Sequence, residues 1–235
     1  MTQKDKKLAF TIYLYLGALF ITSLVVSNLI FQKFFYWYPF GDIQIFGANL
    51  FEISVGILPY PITFLITDLI SEIYGQQKAN QVVKAGIFAS FFSMLIVLVA
   101  NQTNSLPTSP IDSKTFSSVF ALSPIAVLAS MMAYLLAQFI DIKIYHFWKQ
   151  LTKGKYLWIR NNFSTFTSQF VDTLTVILLM CLFGVLPWSS FYGLLISGFI
   201  FKVIVAILDT PFLYLFTYFF RKRFNLEIGE EINID

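Results

Sequence analysis

Charge is what this chain is short of: Asp, Glu, Lys and Arg make up 12% of its 235 residues, about half the ~25% of ordinary soluble domains. Cysteine and histidine are scarcer still, each present once, as Cys181 and His146. A lone cysteine excludes a disulfide within the chain, and one of each excludes a Cys/His metal cluster. His146 reads as part of a basic loop, which removes most Ser-His and Cys-His nucleophiles. No GxxxxGK[ST] sequence occurs, so any ATP-driven step requires another chain. No metal and no cofactor are expected. No polar stretch is long enough for a second core, so residues 1–235 read as a single polytopic membrane domain.

Hydrophobic residues are what it has, at 57%, with 28 Phe among them. A spanning helix needs about 20 mostly apolar residues. Candidates run over 8–31, 53–74, 82–100, 121–140, 163–184 and 190–219. The expected fold is therefore an all-α integral membrane bundle of six transmembrane helices. Lys4, Lys6 and Lys7 before the first span resemble a signal-peptide head, but the apolar run is too long and has no small-residue cleavage site. Thirteen of the 16 Lys and Arg fall in the N-terminus, the tail and the loops after spans two and four. The positive-inside rule then places both termini in the cytoplasm. Dispersed over short loops, these charges orient a chain in a bilayer and form no nucleic-acid patch.

The connection 32–49 is rich in aromatics (Phe34, Phe35, Tyr36, Trp37, Tyr38) and is expected at the interface or capping a cavity. The segment 101–118 reads as a solvated, turn-rich loop. Pro59 and Pro61 around Tyr60 leave two readings open for span two, a broken or late-starting helix and a proline-initiated one.

Ionisable residues at membrane depth cost roughly 2.5–3.5 kcal/mol each on insertion scales, so they persist where they face protein or a hydrated cavity. Span five carries Asn161, Thr165, Ser168, Asp172 and Thr175 at steps of four, three, four and three, one polar stripe on a helix, with Gln169 beside it. Such a stripe serves a ligand or bonds neighbouring helices. Asp68 and Glu72 share a face of span two at i and i+4. Either a cation from another helix approaches, one carboxyl keeps its proton, or both sit at a solvated helix end. Gln138 and Asp141 close span four, where a solvated end is the plain account. Lys202 lies deep in span six, about two turns from Asp209 and too far to bond it, so a carboxylate of another helix such as Asp172 is its expected partner. Small-residue ladders, Ala129, Ala133 and Ala137, and Ser189, Gly193 and Ser197, suit close packing within the chain, with oligomerisation or a partner helix as the minor alternative.

Ser27-Asn28-Leu29, PITFLITDLISEIYG from Pro61 to Gly75, AQFIDIKIYHFW from Ala137 to Trp148 and WIRNNFSTFTSQFVDT from Trp158 to Thr173 together resemble the queuosine-precursor transporter family, part of the vitamin uptake transporter group. The resemblance runs from about Leu8 to Phe219. It implies an inner-membrane importer of 7-deazaguanines, preQ0, preQ1 or queuine, for salvage into the queuosine of tRNA, with the bilayer and this small molecule as partners and no direct nucleic-acid contact. A deazaguanine presents a lactam N–H beside an exocyclic amine, which a carboxylate accepts, and an oxygen that needs a donor. Asn28, Glu52, Gln169, Asp172 and Lys202 are the substrate-binding candidates on this reading. Asp68, Glu72, Gln138, Asp141, Arg160, Asn161 and Asp209 are candidates for coupling or gating. The group also resembles the six-helix substrate-binding components of energy-coupling-factor (ECF) vitamin importers, which require coupling subunits; the first span has no Ala-xxx-Ala pair, which favours a solitary carrier. The competing classes are a membrane scaffold and an intramembrane aspartyl protease, and no Gly-x-Gly-Asp motif accompanies Asp68 or Asp172.

Overall fold

A computed structural model describes residues 2–31, 33–36, 41, 43–45, 48–49, 52–120, 124–184 and 186–234. The elements are α1 (Gln3–Ile30), β1 (Phe34–Tyr36), β2 (Gln44–Ile45), β3 (Ala48–Asn49), β4 (Glu52–Ser54), α2 (Tyr60–Ile73), α3 (Gly75–Asn101), α4 (Ser113–Phe120), α5 (Pro124–Leu151), α6 (Leu157–Leu182) and α7 (Phe191–Phe224). Short 3-10 turns precede α2 and α7, at Val55–Ile57 and Trp188–Ser190. The protein is thus an integral membrane helical bundle. Among the described residues five helical stretches are long and apolar enough to cross a membrane, Gln3–Ile30, Val55–Ile73, Gly75–Asn101, Leu157–Leu182 and Trp188–Phe224. Exposed Phe88, Val99, Leu95 and Phe92 on α3 and Leu208, Phe212 and Phe219 on α7 give these helices the apolar outer faces that lipid requires.

Several helices outrun their apolar stretches at the basic end. α5 continues past the expected end of span four at Ile140 to Leu151, and α6 begins at Leu157, six residues before span five was expected. Lys143, His146 and Lys149 therefore lie in helix, not in a loop, and His146 and Lys149 are buried. Hydropathy marks where lipid contact ends, whereas helical hydrogen bonding continues as long as the chain finds partners. The expected solvated loop 101–118 also contains structure, since Asp112 accepts from the Thr115 N–H at 2.8 Å and starts α4.

Span two resolves as a 3-10 turn followed by a helix that starts late, at Tyr60, with Pro61 in its first turn, so the late-starting and proline-initiated readings describe the same helix. α2 has 14 residues, about 21 Å at 1.5 Å per residue, short of a hydrocarbon core of about 30 Å. It packs on α1, α3, α5 and α7, and ten of its residues are buried. α2 is the axis of the bundle.

The segment leading into α2 is tied to α1. Ser27 Oγ donates to the Gly56 carbonyl, and a Cβ on Gly56 would lie 2.7 Å from both Phe31 Cβ and the Ser27 carbonyl oxygen, so only glycine allows this approach. β1 pairs antiparallel with β4, bringing Phe35 opposite Ile53, and Phe35 packs with Ile57 against Phe201 of α7. Trp37 and Tyr38, part of the expected aromatic cap, lie outside the described residues. Ala133, Ala137, Gly193 and Ser197 from the small-residue ladders are all buried within the chain; the Ala129 side chain lies outside the described residues.

Candidate functional site

The half of the bundle away from the basic loops holds a cavity of about 690 Å³, lined by α1, the turn before α2, α3, α5, α6 and α7. Its wall is mainly apolar in area; Asn28, Tyr60, Tyr134, Asp172 and Lys202 are among its polar members, with several serine and threonine hydroxyls. A few polar groups in an apolar concavity of this size is the usual form of a small-molecule site.

Asp172 and Lys202 meet as their depth in the chain suggests, Lys202 Nζ lying 2.5 Å from Asp172 Oδ2. Tyr60 OH donates to the same oxygen at 2.7 Å, and the Lys202 ammonium lies 4.9 Å from the centre of the Tyr60 ring. Both bonds fall on Oδ2. Tyr134 stands edge-on to Tyr60 with ring centres 5.4 Å apart. Tyr60 and Tyr134 were not among the sequence candidates. Of 12 Tyr and 28 Phe nothing in spacing sets these two apart; the prolines flanking Tyr60, which start α2 at the cavity, were the one available signal.

The remaining binding candidates are dispersed. Asn28 lines the cavity. Gln169 is buried outside it, in a smaller pocket with Thr165, Lys202 and Asp209 between α2, α6 and α7. Glu52 belongs to β4, but its side chain lies outside the described residues. The polar stripe of α6 does not serve one ligand. Asn161 donates to Thr210 of α7 at 3.1 Å, Ser168 donates to Asp141 of α5 at 2.9 Å, and Asp172 alone of the three faces the cavity.

The basic end is closed by a buried ion network on Glu72. Arg160 grips both its oxygens, Nη2 to Oε1 at 2.6 Å and Nε to Oε2 at 3.1 Å. Arg221 Nη2 reaches Oε1 at 2.5 Å, and Tyr145 OH donates to Oε2 at 3.0 Å. Glu72 and Arg160 are 1% and 0% exposed, so this is no solvated helix end. Arg160 also donates to the carbonyls of Gly154 and Lys155, and Lys149 Nζ to those of Ser71 and Glu72 and to the Glu231 carboxylate at 2.7 Å. The segment after α7 folds back over α2. Ile232 N–H bonds the Ile73 carbonyl at 2.7 Å, and Gly75, at φ +84° where a side chain is strained, lies against the carboxylate end of Glu231. The α2 C-terminal carbonyls thus gain partners that a helix end otherwise lacks.

Between cavity and network lie Asp68 and Asp141, 2% and 0% exposed. The solvated-end account fails for both, because α5 continues past Asp141 and the Glu72 network covers Asp68. The i, i+4 pair on α2 divides its options: among the described residues Glu72 takes the cations from other helices and Asp68 takes none.

A short buried axial helix, a mixed polar and apolar cavity at one end and a buried ion network at the other define a multi-pass membrane protein with an internal cavity. The chain belongs to the family described as "Putative vitamin uptake transporter", whose profile matches residues 54–216. It is also 25% identical over 173 residues, 73% of each chain, to a Bacillus subtilis (strain 168) protein described as "Probable queuosine precursor transporter". No solved structure matches the chain. The protein is a multi-pass membrane transporter and not an enzyme.

Proposed function

We propose that this protein imports a queuosine precursor, a 7-deazaguanine such as preQ0, preQ1 or queuine, across the inner membrane for tRNA queuosine salvage. The observation that carries the reading is the cavity in which Asp172, Lys202, Tyr60 and Tyr134 converge. The lactam N–H and exocyclic amine of the base need a carboxylate, its carbonyl oxygen needs a donor, and its flat face needs a ring. Asp172 Oδ1 accepts the first N–H. A two-pronged grip draws Oδ2 away from Lys202, and the released ammonium turns to the substrate oxygen. The ligand thereby replaces the internal ion pair rather than leaving either charge bare. Asn28 adds an amide, and Tyr60 or Tyr134 the stacking face.

The name of the Bacillus subtilis relative supports this substrate class. In this reading the carrier is one six-span membrane domain with α5 as the remaining span, the basic end and both termini are cytoplasmic, and the Glu72 network is the inner gate, built by Glu72 and Arg160 with Asn161 holding α6 to α7. Reporter fusions at the ends and loops test the orientation. The function is tested in cells unable to make queuosine, supplied with preQ0, preQ1 or queuine, with and without this chain. Queuosine in tRNA only when the chain is present is the expected result; its absence under all three supplies overturns the reading.

A further inference from the structure

Two carboxylic side chains, Asp68 of α2 and Asp141 of α5, face one another inside the bundle, with the Thr165 hydroxyl beside Asp68 and the charge of Asp209 of α7 within electrostatic reach of it. Asp141 Oδ1 accepts from Ser168 at 2.9 Å. Asp68 Oδ1 and Asp141 Oδ2, one oxygen on each, have no donor. Among the described residues no ion pair reaches Asp68, Asp141 or Asp209: Arg160, Arg221 and Lys149 are spent on Glu72, and Lys202 on Asp172. Gln138, fully buried and one turn before Asp141 on the same face of α5, gives its Nε2 to Tyr134 OH at 2.9 Å and leaves its Oε1 without a donor. Thr165, whose buried hydroxyl has no other partner among the described residues, and Ser164 beside Asp141 are the neighbouring donors, and the orphaned oxygens of Asp68, Asp141 and Gln138 still outnumber the one free hydroxyl. Tyr134 and Tyr145 of α5, Asp209, and Glu72 with Arg160 upon it are the other titratable groups facing the pair.

Two bare carboxylates in contact at this depth repel each other and meet the full cost of desolvation. One hydrogen between them relieves both and supplies the donor that each orphaned oxygen lacks. A metal ion fits less well, because among the described residues no three His, Cys, Asp or Glu side chains converge as ligands. The same three helices that carry the cavity residues Tyr60, Tyr134 and Asp172 carry Asp68, Asp141 and Ser168 one or two turns further on. A turn or more beyond these come Glu72, Tyr145 and Arg160 of the sealed end.

We propose that Asp68 and Asp141 share one exchangeable proton and that this proton is carried inward with the substrate. With the proton in place α2 and α5 hold together. Its departure sets two negative charges against each other across the α2–α5 seam, between cavity and gate, and drives those helices apart. The coupling rests on the deazaguanine reading above; the shared proton does not.

The proton is tested on purified wild-type protein in detergent by infrared spectroscopy. A carbonyl-stretch band of a protonated carboxyl at neutral pH is expected, shifted in heavy water and lost in both Asp68→Asn and Asp141→Asn; no such band, or one that survives both substitutions, overturns the proposal. The coupling is tested in proteoliposomes with labelled preQ1. Wild type should accumulate it uphill when the outside is acidic, and each Asn variant should keep preQ1 counterflow exchange but lose accumulation. Accumulation driven equally by a sodium gradient, accumulation by the variants as by wild type, or loss of exchange together with accumulation each overturns the coupling. If wild type shows neither exchange nor accumulation of preQ1, preQ0 or queuine, the substrate reading fails, and the infrared band still decides the proton.

Discussion

The two ends of α2 meet opposite surroundings. At Tyr60 the helix opens onto a cavity of about 690 Å³ that holds the Asp172–Lys202 ion pair. At Glu72, three turns on, both carboxylate oxygens are taken, the last carbonyls are capped, and a returning tail covers the junction. A carrier needs this inequality, since a substrate site open to one side requires a seal toward the other. The polar residues of the chain look alike in composition, and their partners separate them: Glu72 has both oxygens bonded by cations and a hydroxyl, whereas the bonds to Asp172 from Lys202 and Tyr60 fall on one oxygen.

The contrast breaks most severely at Glu72. Glu72→Gln leaves Arg160 buried without its counter-charge, a change expected to cost about 3–5 kcal/mol. Thermal melting in detergent and abundance in the membrane report it, and a variant that melts like wild type would contradict the sealed network. At the cavity the expected loss is of function. Asp172→Asn should weaken substrate binding by about 2–5 kcal/mol, and the double variant Asp172→Asn with Lys202→Met, which leaves no bare charge, should restore abundance without restoring uptake. Recovery of uptake in the double variant would remove the ion pair from the binding site. A finer cut is Tyr60→Phe, which keeps the ring and deletes the bond to Asp172, for a loss of about 1 kcal/mol in affinity measured by ligand titration. Smallest is Glu231→Ala. Its carboxylate is 42% exposed opposite Lys149, so the expected cost stays below about 1 kcal/mol, read as a slight fall in melting temperature.

Much of this contrast was legible in the chain. Lys202 stands so far from either end of its span that only a carboxylate of another helix could hold it, and Asp172 lies at matching depth. The crowding of Asp68 against Glu72 marked the pair but left open a cation from another helix, a retained proton and a solvated end. What could not be read is which of these holds for which acid. The partners of Glu72 lie 88 and 149 residues away, a separation that no local pattern encodes. The α6 stripe left ligand and helix contacts both open for a related reason, since periodicity places side chains on one face but does not say that α5, α7 and the cavity share that face. The helices that continue beyond lipid depth, and the tail that caps α2, show the same limit of hydropathy, which registers the solvent around a segment and not its hydrogen bonds.

The shortness of α2 bears on how the chain enters a membrane at all. With the turn before it, it is the least apolar of the five spans found, and it carries two carboxylates of the kind that cost roughly 2.5–3.5 kcal/mol each at a helix centre during insertion. Such a segment has little tendency to partition into lipid by itself. α3 follows it with only Tyr74 between them and has a far more apolar stretch. The two are therefore suited to leave the insertion machinery as one hairpin, with α3 supplying the affinity for lipid and α2 delivered beside it, already shielded, into the place where its acids are needed.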